Sequence, residues 1–529
     1  MDRTVTLATR RWQQHAILGG AGALFVVLAA LPLAWPLVSL LSKESGEILR
    51  GLEVFRSSRP WILLAHSLGL SVTVVISAVV LGTPMGLLLA RTDVAGRRIL
   101  LFIHGFPMFL PPFLLALGWF YLLGRHGFLG DETSAGLLFH PLGHVAVLSL
   151  AFAPVVTALV SLGLWNLDPT LEEAARIVAR PFRVVIGILL PAVWPSVALA
   201  GILVFALAFS ELGVPMLLRV EVYPAAVFSR LGGIDYDPSE AFLLAWPLVP
   251  VAMAMVVLER RLFRKRPLDL LGLRHRSREP LPLGSWRGVL SAACWMLALL
   301  PLLPLAALAL RAGTGGGLAQ MGRWAGGSLF NSLLGSGLAA TIIVGLGAIV
   351  GHGYARRLKG SRLLDLLGVL ALVVPAVLLG VGLIALWNRP ETRFIYGGIA
   401  IIVLGYVARY GVIGIRTIAT AVAQSPLSLE QAASAFGAGF GRRLVAIVLP
   451  IHRRALGAAW LLAAIFCLRD LETAVLYYPP GWEPLTVGIF TLEANGPEEV
   501  VAGLGLLQVA MTAIMLAAGA LLLLRRERT

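Results

Sequence analysis

Apolar runs long enough to cross a bilayer recur from one end of this chain to the other. The hydrocarbon core of a membrane takes about 20 apolar residues as a helix. Such stretches fall at roughly 16–41, 64–90, 99–123, 141–163, 192–217 and 240–258, then at 288–310, 329–354, 364–387, 396–417, 455–477 and 499–524. Within hydrocarbon the backbone satisfies its N–H and C=O groups only as helix or closed barrel, and runs of this length read as helix. The composition agrees, with 58% of the 529 residues apolar and 13% charged, where soluble chains carry about 25% charge. The longest stretch between runs, 418–454, is too short for a separate folded domain. A soluble enzyme, a secreted disulfide scaffold and a membrane anchor with a catalytic head are therefore excluded. The expected fold class is an all-α polytopic membrane protein of about 12 transmembrane helices.

The net charge of +15 is not evidence for nucleic acid. Its arginines cluster at Arg3, Arg10 and Arg11, at Arg91, Arg97 and Arg98, from Arg260 to Arg287, at Arg356, Arg357 and Arg362, and at Arg525, Arg526 and Arg528. Threading the spans alternately brings these clusters to one side. Lys and Arg accumulate in cytoplasmic loops, which predicts a multi-pass protein of a bacterial inner (plasma) membrane with both termini cytoplasmic. The bilayer is the expected partner of this surface, and no nucleic acid is expected. The run 16–41 is longer than the apolar core of a signal peptide and reads as an uncleaved first span. Cys294 and Cys467 both fall in apolar segments and read as packing residues.

The spacing of the runs prompts a search for an internal repeat. Ser67-Leu68 to Ala90-Arg91 and Ser332-Leu333 to Ala355-Arg356 have the same length, with Leu81-Gly82 falling on Leu346-Gly347 and Gly86 on Gly351. Pro111 answers Pro375, Leu190-Pro191 answers Leu449-Pro450, and Glu211 falls on Asp470. The chain thus divides into a first half, 1–258, a basic cytoplasmic linker, 259–287, and a second half, 288–529. Two homologous six-helix halves of this kind run parallel, because an even number of spans returns each half to the same side.

Between the fourth and fifth spans of each half lies a long loop on the basic side, at about 165–191 and 424–450. The first runs Asp168-Pro169-Thr170-Leu171-Glu172-Glu173-Ala174-Ala175 and ends Ile188-Leu189-Leu190-Pro191. The second runs Ser425-Pro426-Leu427-Ser428-Leu429-Glu430-Gln431-Ala432-Ala433, then Gly437, and ends Ile447-Val448-Leu449-Pro450. Proline followed by acidic residues marks a helix start, and Gly437 is placed to end that short helix and turn the chain.

These loops resemble the EAA loop of ATP-binding-cassette (ABC) importer permeases, a Glu-Ala-Ala, then Gly, then Ile-x-Leu-Pro pattern. Gln431 stands for the usual Glu in the second copy, and Ala179 for the Gly in the first, which is one residue shorter before Pro191. Asn331-Ser332-Leu333 also resembles the start of that family's domain. The resemblance implies the MetI-like permease architecture in fused two-half form, close to the iron(III) and thiamine importers. It implies that Glu172, Glu173, Ala174, Ala175, Glu430, Gln431, Ala432, Ala433 and Gly437 seat on a separate ATPase dimer and transmit its closure. It also implies a periplasmic or lipid-anchored substrate-binding protein as second partner, with iron(III) the first choice of substrate, ahead of thiamine, polyamines and phosphonates.

The lysines, Lys43, Lys265 and Lys359, sit in no phosphate-binding loop. No catalytic residue, metal site or bound cofactor is therefore expected in this chain, and ATP and Mg would be used by the partner ATPase. His140 and His144 are separated by Pro141 and Gly143, which argues against a helical ligand pair.

Ionisable groups inside spans are costly and mark functional sites by default. Glu211 lies in the expected fifth span, Arg409 in the tenth, and Arg469, Asp470 and Glu472 in the eleventh. Arg409 reads either as the ion-pair partner of Asp470 or Glu472 or as a pathway residue. Glu211 and Asp470 read as acids facing each other across a pathway between the halves, which suits a cationic substrate. The rival reading is an ion-coupled twelve-span secondary transporter, supported by Asp93 and Gly96-Arg97-Arg98, but it gives no account of the paired loops. A membrane enzyme comes third, for want of a recurring nucleophile, base or metal cluster.

Overall fold

The computed structural model describes residues 14, 16–41, 53–167, 170, 173–174, 177, 181–231, 243–263 and 280–524. In chain order these form α1 (Ala16–Trp35), α2 (Arg59–Arg91), α3 (Arg97–Phe109), α4 (Pro112–Leu123), α5 (Pro141–Trp165), α6 (Phe182–Ser210) and α7 (Leu243–Leu262). The second repeat supplies α8 (Gly284–Gly313), α9 (Gly317–Ala355), α10 (Ser361–Val373), α11 (Ala376–Trp387), α12 (Ile399–Ala423), the loop helix α13 (Leu427–Ala435), α14 (Phe440–Ile451), α15 (Arg453–Leu468), α16 (Leu485–Glu493) and α17 (Glu498–Leu522). Among the described residues no strand occurs, only an isolated bridge between Thr92 and Leu281. Nine of these helices are long and apolar enough to cross a membrane, and three bent pairs bring the number to as many as 12. The protein is an all-α, multi-pass membrane protein.

The expected third and ninth spans are not straight helices. The pair α3–α4 is bent by 99° and α10–α11 by 108°. Each break falls at the matched prolines, with Leu110 before Pro111 and Val374 before Pro375 extended at ψ 152° and 133°. Proline removes a helix N–H and pushes the preceding residue out of the helical region. The expected fifth and eleventh spans also end early, at Ser210 and Leu468, rather than running on to 217 and 477. A short helix follows each stop, Gly213–Leu217 and Ala474–Tyr477. The cause is side-chain capping: Glu211 Oε1 accepts the Val214 N–H at 3.2 Å, and Asp470 Oδ1 accepts that of Thr473 at 2.9 Å. A further bend of 82° separates α14 from α15.

The repeat seen in the sequence is a repeat of packing. A Cβ on Gly82 of α2 would lie 2.6 Å from the Ala153 carbonyl oxygen of α5, and one on Gly347 of α9 would lie 2.6 Å from the Gly414 carbonyl carbon of α12. Gly86 and Gly351 make the next crossing contacts one turn on. Small residues at this spacing let membrane helices approach backbone to backbone. Ser67 Oγ accepts the Tyr223 N–H and Ser332 Oγ the Leu485 N–H, both at 2.7 Å, so matched serines hold the starts of two matched short helices, Tyr223–Leu231 and α16.

The halves interlock through their first and third spans. Gly382 of α11 lies against the Pro32 backbone of α1, and Gly118 of α4 against the Pro304 backbone of α8. Each repeat's first helix therefore packs on the broken span of the other, and one apolar core runs through both.

Candidate functional site

The helix breaks meet at the centre of the molecule. Ser210, which ends α6, accepts at Oγ the Ala376 N–H that opens α11, at 2.8 Å. Arg469, just past α15, donates to the Met108 carbonyl oxygen at the end of α3. The break in each repeat is thus hydrogen-bonded to the break in the other. These contacts bring Glu211, Arg409, Arg469, Asp470 and Glu472 together, all buried.

Within this cluster the acids differ. Asp470 is fully occupied: Oδ1 accepts from Thr473 N and from Thr473 Oγ1 at 2.6 Å, and Oδ2 accepts the Tyr410 hydroxyl at 2.7 Å. Arg409 Nε lies 3.7 Å from Asp470 Oδ2 and its Nη2 donates to Ser210 Oγ at 3.2 Å. The tenth-span arginine is therefore paired with Asp470. Glu211, the counterpart of Asp470 in the repeat, accepts the Val214 N–H at Oε1, and its Oε2 meets no hydrogen-bond partner among the described residues. Both acids cap the turn that follows them; the difference lies in the second oxygen, which on Asp470 meets the Tyr410 hydroxyl and Arg409.

The loop after α12 forms the helix α13, and Gly437 closes it at φ +94°. Gly437 N donates to Ser434 O at 3.1 Å and Ala438 N to Ala433 O at 3.0 Å, satisfying carbonyls at the helix end. Gln431, Ala432 and Gly437 are exposed and Ala433 is half-buried, while the Phe436 side chain stands clear of the protein at 94% exposure. Glu430 points the other way. Its carboxylate is buried, 2.8 Å from His352 Nε2, and accepts from Arg356 Nε at 2.9 Å. In the first loop Glu173 and Ala174 are exposed. Glu172, Ala175 and Ala179 lie outside the described residues, as do the terminal arginines and linker residues 264–279.

Sequence reasoning missed a second ionic network, at the α13 end of the bundle. Arg416 of α12 donates to Asp365 Oδ1 of α10 at 2.9 Å and to Glu259 Oε1 of α7 at 3.1 Å, and Arg260 donates to Asp365 Oδ2 at 3.0 Å. It ties the last helix of the first repeat to two helices of the second. Asp365 and Arg416 sit just inside the ends of the expected ninth and tenth spans, and that position was the available signal. Among the described residues no group of three or more His, Cys, Asp and Glu side chains is placed to hold a metal ion.

A helical, multi-pass transport protein built from a duplicated unit, with a buried polar seam and projecting loop helices, is the class that fold and site define. No protein-family sequence model matches the chain. It is 24% identical over 385 residues to a putative ferric transport system permease protein of Haemophilus influenzae, covering 67% of this chain and 60% of that protein. It is 24% identical over 441 residues to a ferric transport system permease protein of Actinobacillus pleuropneumoniae, covering 78% and 64%. The chain thus spans less than two thirds of the length of either ferric relative. A molybdenum transport system permease protein of Haemophilus influenzae is 30% identical over 208 residues, 36% of this chain and 91% of that protein. The chain belongs to the permeases of binding-protein-dependent ABC importers.

Proposed function

We propose that this permease carries ferric iron inward across the bacterial inner membrane, delivered by a periplasmic or lipid-anchored binding protein and driven by a separate ATPase dimer. The observation that carries the substrate reading is the buried seam, where Glu211, Asp470 and Glu472 outnumber Arg409 and Arg469. An excess of acid at the junction of the halves favours a cation over an anion. The names of the two ferric relatives support the same choice.

The coupling surface is the exposed part of the two loops: Glu173 and Ala174 in the first, and Gln431, Ala432, Phe436 and Gly437 in the second. Glu172 and Ala175 belong to the same surface by their place in the motif. On this reading Glu430 acts from behind, fixing α13 to α9. ATP and Mg are bound by the ATPase, and this chain holds no cofactor. Both termini and the basic linker are cytoplasmic, on the side of the loops.

The test is uptake into proteoliposomes containing the permease and its ATPase, supplied with the cognate binding protein loaded with ferric iron. Iron accumulation that requires ATP is the expected result. Accumulation driven by an ion gradient without the ATPase would replace the importer reading with a secondary transporter. ATP-dependent uptake of molybdate, thiamine, a polyamine or a phosphonate in place of iron would keep the importer and replace the substrate.

A further inference from the structure

The two matched acids of the seam are used differently, and one carboxylate oxygen is left over. Asp470 is committed to the fold: its oxygens accept from Thr473 N, Thr473 Oγ1 and the Tyr410 hydroxyl, and Arg409 Nε lies 3.7 Å from Oδ2. Glu211 is only half committed. Oε1 accepts the Val214 N–H at 3.2 Å, whereas Oε2 meets no hydrogen-bond partner among the described residues, although the residue is 3% exposed. No Lys, Arg or His among those residues lies within ion-pair distance of it. Arg409 is turned to Asp470 and Ser210, and Arg469 to the Met108 carbonyl oxygen. A buried carboxylate without a partner is costly, and such a group in a native fold calls for an explanation. The chain on both sides of Glu211 touches the other repeat. Ser210 accepts the Ala376 N–H at Oγ, and a Cβ on Gly213 would lie 2.7 Å from Cδ2 of Leu471, the residue between Asp470 and Glu472. The free oxygen therefore belongs to the segment where the helix breaks of the two repeats meet.

We propose that Glu211, rather than its repeat counterpart Asp470, is the carboxylate that meets the cation in transit, with Oε2 as the ligand oxygen. The assignment rests on the cationic-substrate reading above and narrows it to one residue. A hard cation such as ferric iron takes carboxylate oxygens as ligands, and its charge supplies the partner that the fold withholds from Glu211. One carboxylate makes a passing contact and not a resident site. Among the described residues no group of three or more His, Cys, Asp and Glu side chains is placed to hold a metal ion. Passage needs that weakness, because a cation must be bound well enough to enter and loosely enough to leave.

The test is ferric-iron uptake into proteoliposomes holding the permease and its ATPase, supplied with ATP and the iron-loaded binding protein. Uptake is expressed per complex recovered as a single species by size-exclusion chromatography. Glu211→Gln keeps an oxygen for the Val214 N–H and removes the charge, whereas Glu211→Asp keeps the charge and draws it back by one methylene. A cation contact therefore ranks Asp above Gln, and a helix cap alone ranks Gln above Asp. The expected result is a fall of about tenfold or more in Glu211→Gln, a smaller fall in Glu211→Asp, and no change in Glu132→Gln, which alters an exposed pair with Arg125. Uptake by Glu211→Gln equal to or above that of Glu211→Asp overturns the proposal, as does an equal fall in Glu132→Gln. Should Glu211→Gln not be recovered, Glu211→Asp and Glu211→Asn, alike in size and different in charge, decide in its place, and equal uptake by the two overturns the proposal. A wild-type complex that takes up no iron removes the substrate reading and this assignment with it. Wild-type iron uptake that is undiminished in Glu211→Gln removes the assignment alone.

Discussion

Arg356, at the end of α9, donates from Nε to Glu430 of the loop helix α13 at 2.9 Å, so the loop helix hangs from a spanning helix by a buried charge pair. His352 lies 2.8 Å from the other carboxylate oxygen, and Arg356 also donates to the Ser425 carbonyl oxygen at the start of the loop. This contact joins α13 to α9, and α9 packs directly on α12, which carries Arg409 of the central cluster.

Glu430→Ala should therefore uncouple the loop. It leaves the half-buried Arg356 without the carboxylate it pairs with, a loss that stays below the about 3–5 kcal/mol of a fully buried pair because Arg356 keeps its hydrogen bonds to Ser425. Burial opposes the charge on Glu430, but the hydrogen bonds and charges of His352 and Arg356 outweigh it and hold the carboxyl below its ordinary value. The tether therefore contributes fully above the ordinary carboxylate range and is lost as pH falls through the lowered value. Hydrogen exchange of α13 should stay slow from neutral pH down through the ordinary carboxylate range and quicken only below it. Exchange that already quickens near neutral pH would show that Glu430 does not hold the helix.

Arg409 and Asp470 should behave as one unit. Arg409→Met or Asp470→Asn alone should destabilise by about 3–5 kcal/mol. The double variant should lose less than the two losses added, because neither charge is then left without its partner. A thermal-denaturation double-mutant cycle in detergent reads this coupling. Additive losses would mean that Arg409 is held by Ser210 and the Tyr410 ring, with Asp470 acting only as a cap.

Ala174→Glu and Ala432→Glu place a bulky charge on exposed loop surface, so expression and membrane insertion should remain near wild type. Against an ATPase groove, overpacking costs about 1–3 kcal/mol, and each 1.4 kcal/mol is about tenfold in affinity. Gly437→Val adds strain of about 1–3 kcal/mol, since a β-branched residue is forced to positive φ. Co-purification of the ATPase with each variant is the measurement, and undiminished recovery with both Ala174→Glu and Ala432→Glu would falsify the coupling assignment.

The matched glycines should be intolerant of any side chain. At Gly82 and Gly347 a Cβ would sit 2.6 Å from backbone atoms of α5 and α12, so Gly82→Val and Gly347→Val should each destabilise by about 1–3 kcal/mol or more. Gly69, on the same helix as Gly82 but with no atom within 4 Å of its Cβ position, should accept alanine without loss. Equal yields of folded protein for Gly82→Val and Gly69→Ala, measured by size-exclusion chromatography, would contradict close packing at the crossing.

What the sequence determined by itself was the material of the fold. Runs of apolar residues dictate helices because a bilayer offers the backbone no other partner, and the repeat of Ser67, Gly82, Gly86 and Arg91 in Ser332, Gly347, Gly351 and Arg356 showed that the unit is used twice. The paired prolines marked the breaks at Leu110 and Val374, and Gly437 marked its turn, since these residue types act locally. Hydropathy could not show where α6 and α15 end, because Glu211 and Asp470 stop those helices by capping the next turn, inside segments that stay apolar on either side. Nor could spacing show which of the matched acids is paired. Glu211 and Asp470 are equivalent in the repeat, but Asp470 is consumed by Thr473, Tyr410 and Arg409, while Glu211 keeps one carboxyl oxygen without a partner among the described residues. Only the tertiary structure decided that pairing, and the inward turn of Glu430 and the linking of Glu259, Asp365 and Arg416. A hydrogen bond is settled by distances of about 3 Å between groups whose separation along the chain carries no record of where the helices cross.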